Sequence, residues 1–181
     1  MGTLHQQLQA TFRWIGDRTD PDYRADPTGW WRDPEILAEL GPALASLFWD
    51  ENPTVVVATQ SRGTLLGTLV AVCLGIGMTE VRKGANRAAD SDAWWEATTA
   101  PDYRDSQLRL GARKSLLKSG DRALFVDDWI ATGAQAQATQ EIVERSGATW
   151  VGAAVVVDGL ERSHLRRALN LRAVLNIRDL M

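Results

Sequence analysis

The segment Leu124 to Ala136, LFVDDWIATGAQA, concentrates the residues best placed to do chemistry. A hydrophobic run ends in adjacent carboxylates, Asp127 and Asp128, then passes through Thr132-Gly133 into a helix start at Ala134. Free backbone N–H groups at such a turn form an anion cradle, and the helix dipole reinforces it. Carboxylates beside a phosphate site suit ribose hydroxyls, directly or through Mg²⁺. The plainer alternative is that the acids merely end a strand and Thr132 merely caps a helix. A second candidate is Arg62, set between Ser61 and Gly63 directly after a buried run, a poor position for an idle surface charge.

Other reactive side chains carry less. His5 and His164 have no Cys or His partner at metal-ligand spacing, and the lone Cys73 reads as a small buried hydrophobe. Arg162, Arg166 and Arg167 read as one solvated helix face.

The elements that must position these groups alternate along the chain. Leu4, Leu8, Phe12 and Ile15 repeat at helical spacing and predict an amphipathic first helix; Gly16 to Gly29 reads as an ordered loop or hood. Asp33-Pro34 announces a helix, with Asp as N-cap and Pro at the first helical position. Thr54 to Ala58 is a wholly apolar, β-branched run, as in a parallel strand buried on both faces. Helix Gly63–Leu74, strand Met78–Arg82, strand Arg122–Asp127, helix Ala134–Ser146, strand Val151–Val157, helix Glu161–Leu169 and strand Leu171–Ile177 follow. Repeated βα units predict a parallel sheet flanked by helices, with ligands at the carboxyl ends of the strands. The stretch Lys83 to Arg109 has no clear periodicity, and its length marks it as a lid. Within it, Trp94-Trp95 is either a hydrophobic patch that docks on the body or a partner subunit, or a cover over the substrate.

Length and charge bound the classes. The 181 residues fit one α/β domain, read as an N-terminal helix and hood over residues 1–33 and a main domain over 34–181 with a lid at 84–106. A net charge of −3 argues against a nucleic-acid binder, whose footprint is basic. One cysteine rules out an intramolecular disulfide framework, and the longest apolar run, Val151 to Val157, is too short to span a bilayer. Met1 to Trp14 lacks the apolar core of a signal peptide, so the expected location is cytoplasmic.

The Leu124–Ala136 stretch resembles the phosphoribosyl pyrophosphate (PRPP) signature of type I phosphoribosyltransferases. Ala58-Thr-Gln-Ser-Arg-Gly-Thr-Leu-Leu-Gly67 resembles the pyrophosphate loop of the adenine branch of that family, and Gly75 to Lys83 its next strand and Arg-Lys pair. Asp102-Tyr103 with Gln107-Leu108 is similar to the tail of its flexible loop. The resemblance covers roughly Asp33 to the C-terminus. It implies a Rossmann-like parallel sheet under a small hood, a homodimer, and Mg²⁺-dependent transfer of ribose 5-phosphate from PRPP to a nucleobase.

By that resemblance Asp127 and Asp128 hold the ribose hydroxyls and the metal, and Ala131, Thr132, Gly133, Ala134 and Gln135 wrap the 5′-phosphate. Ser61, Arg62, Gly63, Arg82 and Lys83 bind pyrophosphate, which needs positive groups where negative charge develops. Asp102 matches a lid carboxylate that exchanges a proton with the base, and Tyr23-Arg24 an aromatic-Arg base contact.

Departures separate the branches. Ala134 and Gln135 stand where the family has a second glycine and a threonine, and Gln60 where an acid often precedes the Ser-Arg-Gly segment. Ala131 disfavours the hypoxanthine-guanine branch, which has an acid there, and Gly84 to Arg109 lacks the lid lysines of the orotate branch. Adenine is the expected base, with xanthine the alternative suggested by Gly133-Ala-Gln-Ala136. From a different class, a protein of this fold that senses PRPP or a nucleotide without turnover fits the same departures.

Overall fold

In the computed structural model, which describes residues 3–19, 23–84, 93–100 and 107–181, a hood covers one end of a mixed central sheet. Helix α1 (Leu4–Thr11) starts at a capping box between Thr3 and Gln6. It stops short of the expected end at Ile15. Arg13–Ile15 is strand β1 instead, paired antiparallel with β2 (Arg24–Asp26). Continued helix would turn Ile15 to the apolar face, yet Ile15 is 41% exposed. Extended backbone from Phe12 onward sends Phe12 and Trp14 into one aromatic cluster, edge to face at 5.3 Å. The short helix α2 (Thr28–Arg32) completes the hood and buries Trp30, whose indole N–H donates to Leu8 C=O at 3.0 Å.

Helix α3 (Pro34–Ser46) begins as expected, with Asp33 accepting from the N–H groups of Glu35 and Ile36. The main domain continues through β3 (Val55–Thr59), α4 (Arg62–Leu74), β4 (Gly77–Lys83), β5 (Trp94–Thr98) and β6 (Arg109–Arg113). It ends with β7 (Arg122–Ile130), α5 (Ala134–Arg145), β8 (Thr149–Asp158), α6 (Ser163–Ala168) and β9 (Leu171–Asn176). The strand order is β5-β6-β4-β3-β7-β8-β9. From β4 to β9 every pairing is parallel, while β6 runs antiparallel to both β4 and β5. The sheet is therefore mostly parallel, with an antiparallel edge.

The period of two divides the interior. Val56, Leu124, Val126, Ala154 and Val156 pack with Leu40, Leu44, Leu66 and Val70 of α3 and α4. Their neighbours Val57, Ala123, Phe125, Ala153 and Val155 pack with Ile142 and Val143 of α5 and Leu165 of α6. Helices thus cover both faces, which is why the central strands read as continuous apolar runs.

Two expectations change here. The stretch read as an aperiodic lid contains β5, a strand of the central sheet; residues 85–92 and 101–106, including Asp102 and Tyr103, lie outside the described residues. Trp94 and Trp95 dock on the body. Trp95 packs against the α5-side core, and the guanidinium groups of Arg82 and Arg113 lie over the Trp94 ring, at 5.9 and 5.2 Å. The strand expected to stop at Asp127 runs on to Ile130, so Asp128 too lies within β7.

Candidate active site

The site opens where one strand is shorter than its neighbours. The ladder between β3 and β7 ends at the pair Ala58–Val126, whereas β7 continues along β8 from Asp127 to Ile130. On the vacated side the chain of β3 turns off through Gln60 and Ser61, joined by a cis peptide bond, into α4. Asp127 and Asp128 therefore lie in a notch at the carboxyl end of the sheet, as such folds place ligands.

Asp127 is held by three neighbours. Its Oδ2 accepts the Thr59 hydroxyl at 2.9 Å and its Oδ1 accepts the Asp128 N–H at 3.0 Å. Gly63 provides the remaining space, because a Cβ there would lie 2.8 Å from Asp127 Oδ1. Burial, and then the like charge of Asp128, push the Asp127 carboxyl up to about 7, against the opposing hydrogen bonds from Thr59 and the Asp128 N–H. Asp128 is buried, with Oδ2 3.0 Å from Arg62 Nη1, and the arginine is 46% exposed.

Around this pair lie two cavities. One of about 330 Å³ is lined by Asp127, Asp128, Gln60, Ser61, Arg62 and Lys83, with Ala25 and Pro27 of the hood opposite and Trp129 and Gln135 beside them. A second of about 150 Å³ is lined by Ala131 to Ala136. Asp127, Trp129 and Gln135 border both. At the turn, Gly133 has φ +79°, and Thr132 Oγ1 accepts the Ala134 N–H at 3.3 Å. Ala134 opens α5 with helical backbone, so replacing a glycine there keeps the N–H donors of the first turn in place.

Adjacent carboxylates, one of them short of countercharge, fit a hard divalent cation. Among the described residues no cluster of three or more His, Cys, Asp or Glu could cage an ion alone. A cation here must share its shell with ligand oxygens and water, as Mg²⁺ does beside phosphates.

Not every expected residue arrives. Ser61, Arg62 and Lys83 line the larger cavity, and Gly63 is packed under Asp127. Arg82 does not line it. Adjacent strand residues face opposite sides of a sheet, and Arg82 pairs with Glu80 at 2.8 Å on the side away from Lys83. Tyr23 and Arg24 are also outside it: Tyr23 stacks on Trp14 at 4.8 Å and Arg24 is exposed on β2, while their neighbours Ala25 and Pro27 supply the hood wall. Sequence reasoning missed Thr59 and Trp129. For Trp129 a signal existed, since the residue after two site acids on a strand end borders the same space. Gly159 leaves room for that indole, for a Cβ there would lie 3.0 Å from Trp129 Nε1.

A mostly parallel sheet with a carboxylate pair between a cationic loop and a helix-start turn defines a class. Residues 32–177 match the phosphoribosyl transferase domain family, and the chain belongs to it. It is 37% identical over 133 residues to an adenine phosphoribosyltransferase of Synechococcus sp., covering 74% of this chain and 71% of that protein. It is 31% identical over 126 residues to a xanthine phosphoribosyltransferase of Lactobacillus delbrueckii, covering 70% of this chain and 66% of that one. Its structure is similar to the adenine phosphoribosyltransferase of Rhodothermus marinus, with a TM-score of 0.81 at 29% identity, over 96% of this chain and 98% of that one.

Proposed function

We propose that this protein transfers ribose 5-phosphate from PRPP to a purine base, with adenine favoured, and releases pyrophosphate. The observation that carries this reading is the placement of Asp127 and Asp128 between two anion-binding features, Arg62 with Lys83 on one side and the 131–135 turn on the other. PRPP has that layout: ribose hydroxyls between a diphosphate and a 5′-phosphate.

In the reaction a base nitrogen forms the bond to the anomeric carbon as the carbon–oxygen bond to pyrophosphate breaks, the electron pair leaves with pyrophosphate, and the proton that nitrogen carried passes to pyrophosphate or water. Arg62 and Lys83 meet the negative charge that grows on the leaving group. The N–H groups of the α5 first turn hold the 5′-phosphate, fixing the sugar while its far end reacts. Asp127 and Asp128 orient the ribose hydroxyls. Mg²⁺ held by these carboxylates together with substrate oxygens would supply further charge neutralisation. Trp129 and the hood residues Ala25 and Pro27 give the cavity apolar surface suited to a flat base.

Adenine is favoured by Ala131 and by the adenine phosphoribosyltransferases among the relatives; a xanthine phosphoribosyltransferase relative and the Gly133-Ala-Gln-Ala136 turn support xanthine as the second reading. The helical backbone at Ala134 keeps the phosphate donors of the first turn, so the departure there does not argue against turnover. A homodimer is the assembly this family reading implies. The test is pyrophosphate release from PRPP and Mg²⁺ with adenine, xanthine, guanine, hypoxanthine and orotate in turn. Adenine should give the highest kcat/KM; a clear preference for guanine, hypoxanthine or orotate would overturn the assignment, and xanthine would promote the second reading.

A further inference from the structure

The two cations lining the larger cavity among the described residues, Arg62 and Lys83, come from different elements. Arg62 begins α4 and Lys83 ends β4. One side chain joins the two. The Gln60 N–H donates to the Val81 carbonyl at 3.1 Å, extending the parallel ladder one step past β3. In a continued ladder the next bond would run from the Lys83 N–H to a backbone carbonyl of the neighbouring strand. The chain has by then left the sheet for α4, and the Gln60 side chain stands in: its Oε1 accepts the Lys83 N–H at 3.2 Å. On the opposite edge of β4 the Gly84 N–H donates to the carbonyl of Arg109, the first residue of β6, at 2.8 Å. Among the described residues, the end of β4 is thus held by β6 on one side and by Gln60 on the other.

We propose that Gln60 is a positioning residue, whose amide oxygen holds Lys83 across the cavity from Arg62 and so sets affinity for the diphosphate of the substrate. This rests on reading the cavity as the PRPP site. The acid that often stands at this position in the family could accept the same bond; the amide of Gln60 does so without adding charge to a cavity that already contains Asp127 and Asp128. An apolar side chain would leave the Lys83 N–H to water at the cavity mouth, so the fold survives while the cation loses its fixed place.

The experiment titrates inorganic pyrophosphate with Mg²⁺ into the full chain, Gln60→Leu, Lys83→Ala and the double variant. Gln60→Leu should bind pyrophosphate about 10-fold more weakly, the equivalent of one lost hydrogen bond. In the Lys83→Ala background the same change should have little further effect, which a merely structural role would not produce. Gln60→Asn, one methylene too short to reach, should behave like the leucine variant. In Gln60→Leu, exchange at the Lys83 amide should quicken while the Gly84 amide, bonded to β6, keeps its protection. Unchanged pyrophosphate affinity in Gln60→Leu overturns the inference, as does an equal loss in both backgrounds, which would make Gln60 a direct ligand. If the unaltered chain binds PRPP but not pyrophosphate, the inference alone falls; if it binds neither, the reading of the cavity falls and takes the inference with it.

Discussion

Gly63 and Asp127 occupy a shared space: a Cβ on residue 63 would lie 2.8 Å from Asp127 Oδ1 and 3.3 Å from its Cγ. The glycine at the start of α4 therefore keeps the carboxylate of β7 in its notch. Gly63→Ala should displace that carboxylate and lower PRPP affinity by about 10-fold or more, at an overpacking cost of roughly 1–3 kcal/mol. Calorimetric PRPP binding, with a thermal melt to confirm folding, checks this; wild-type affinity in the alanine variant would contradict it.

Asp127 carries a cost that grows with pH. Folded, its carboxyl titrates at about 7; unfolded, it titrates near the ordinary value of 3.8. Between those values the folded chain binds more protons than the unfolded one, so this group makes stability fall as pH rises and then level off. Asp127→Asn removes the charge. Without ligand or metal, the variant should melt above the wild type at pH 8, and the gap should close towards pH 4. A variant that melts below the wild type at pH 8 would show that the buried charge is better compensated than the Thr59 and Asp128 contacts indicate.

How much of this was legible in the sequence depended on which periodicity each residue obeyed. The central strands from Thr54 to Ala58 and from Val151 to Val157 announce themselves because helices cover both faces and every residue must be apolar. The cap at Asp33-Pro34 is local chemistry, and the structure has it in place. The carboxylate pair and the Thr132-Gly133 turn were legible because a strand, an acid pair and a helix start fall within one short segment. What failed needed information beyond neighbours in sequence. Arg82-Lys83 reads as a unit, yet a strand sends the two residues to opposite faces and only Lys83 borders the cavity. Phe12 and Trp14 left the helical pattern because Trp129, far along the chain, offers them a ring to pack on, at 6.0 and 6.1 Å. Strand β5 was hidden because its partner β6 follows only after a long connection.

Trp129 should matter more for the base than for the sugar phosphate. Stacking of a base on an aromatic side chain is worth roughly 1–3 kcal/mol. Trp129→Leu keeps an apolar wall but loses the ring, so KM for the base should rise about 10-fold or more with a much smaller change in KM for PRPP. Steady-state kinetics with each substrate varied in turn separates the two. Equal changes in both would show that the indole supports the whole notch rather than the base alone.

Gln135 Oε1 is buried without a hydrogen-bond partner and borders both cavities. An orphaned acceptor is destabilising until a donor arrives, and a ribose hydroxyl is a donor. Gln135→Leu should raise the melting temperature of the ligand-free chain and weaken PRPP binding. A variant destabilised without ligand, or one that binds PRPP as the wild type does, would contradict this role.

The most direct test of the account is Mg²⁺-dependent PRPP binding, by calorimetry, to the unaltered chain and to Asp127→Asn with Asp128→Asn. The acids flank a notch rather than fill a core, so the double variant should fold, as its melt would show. The account predicts saturable PRPP binding that requires Mg²⁺ in the unaltered chain and is lost in the folded double variant. A double variant that binds PRPP as tightly as the unaltered chain would contradict it.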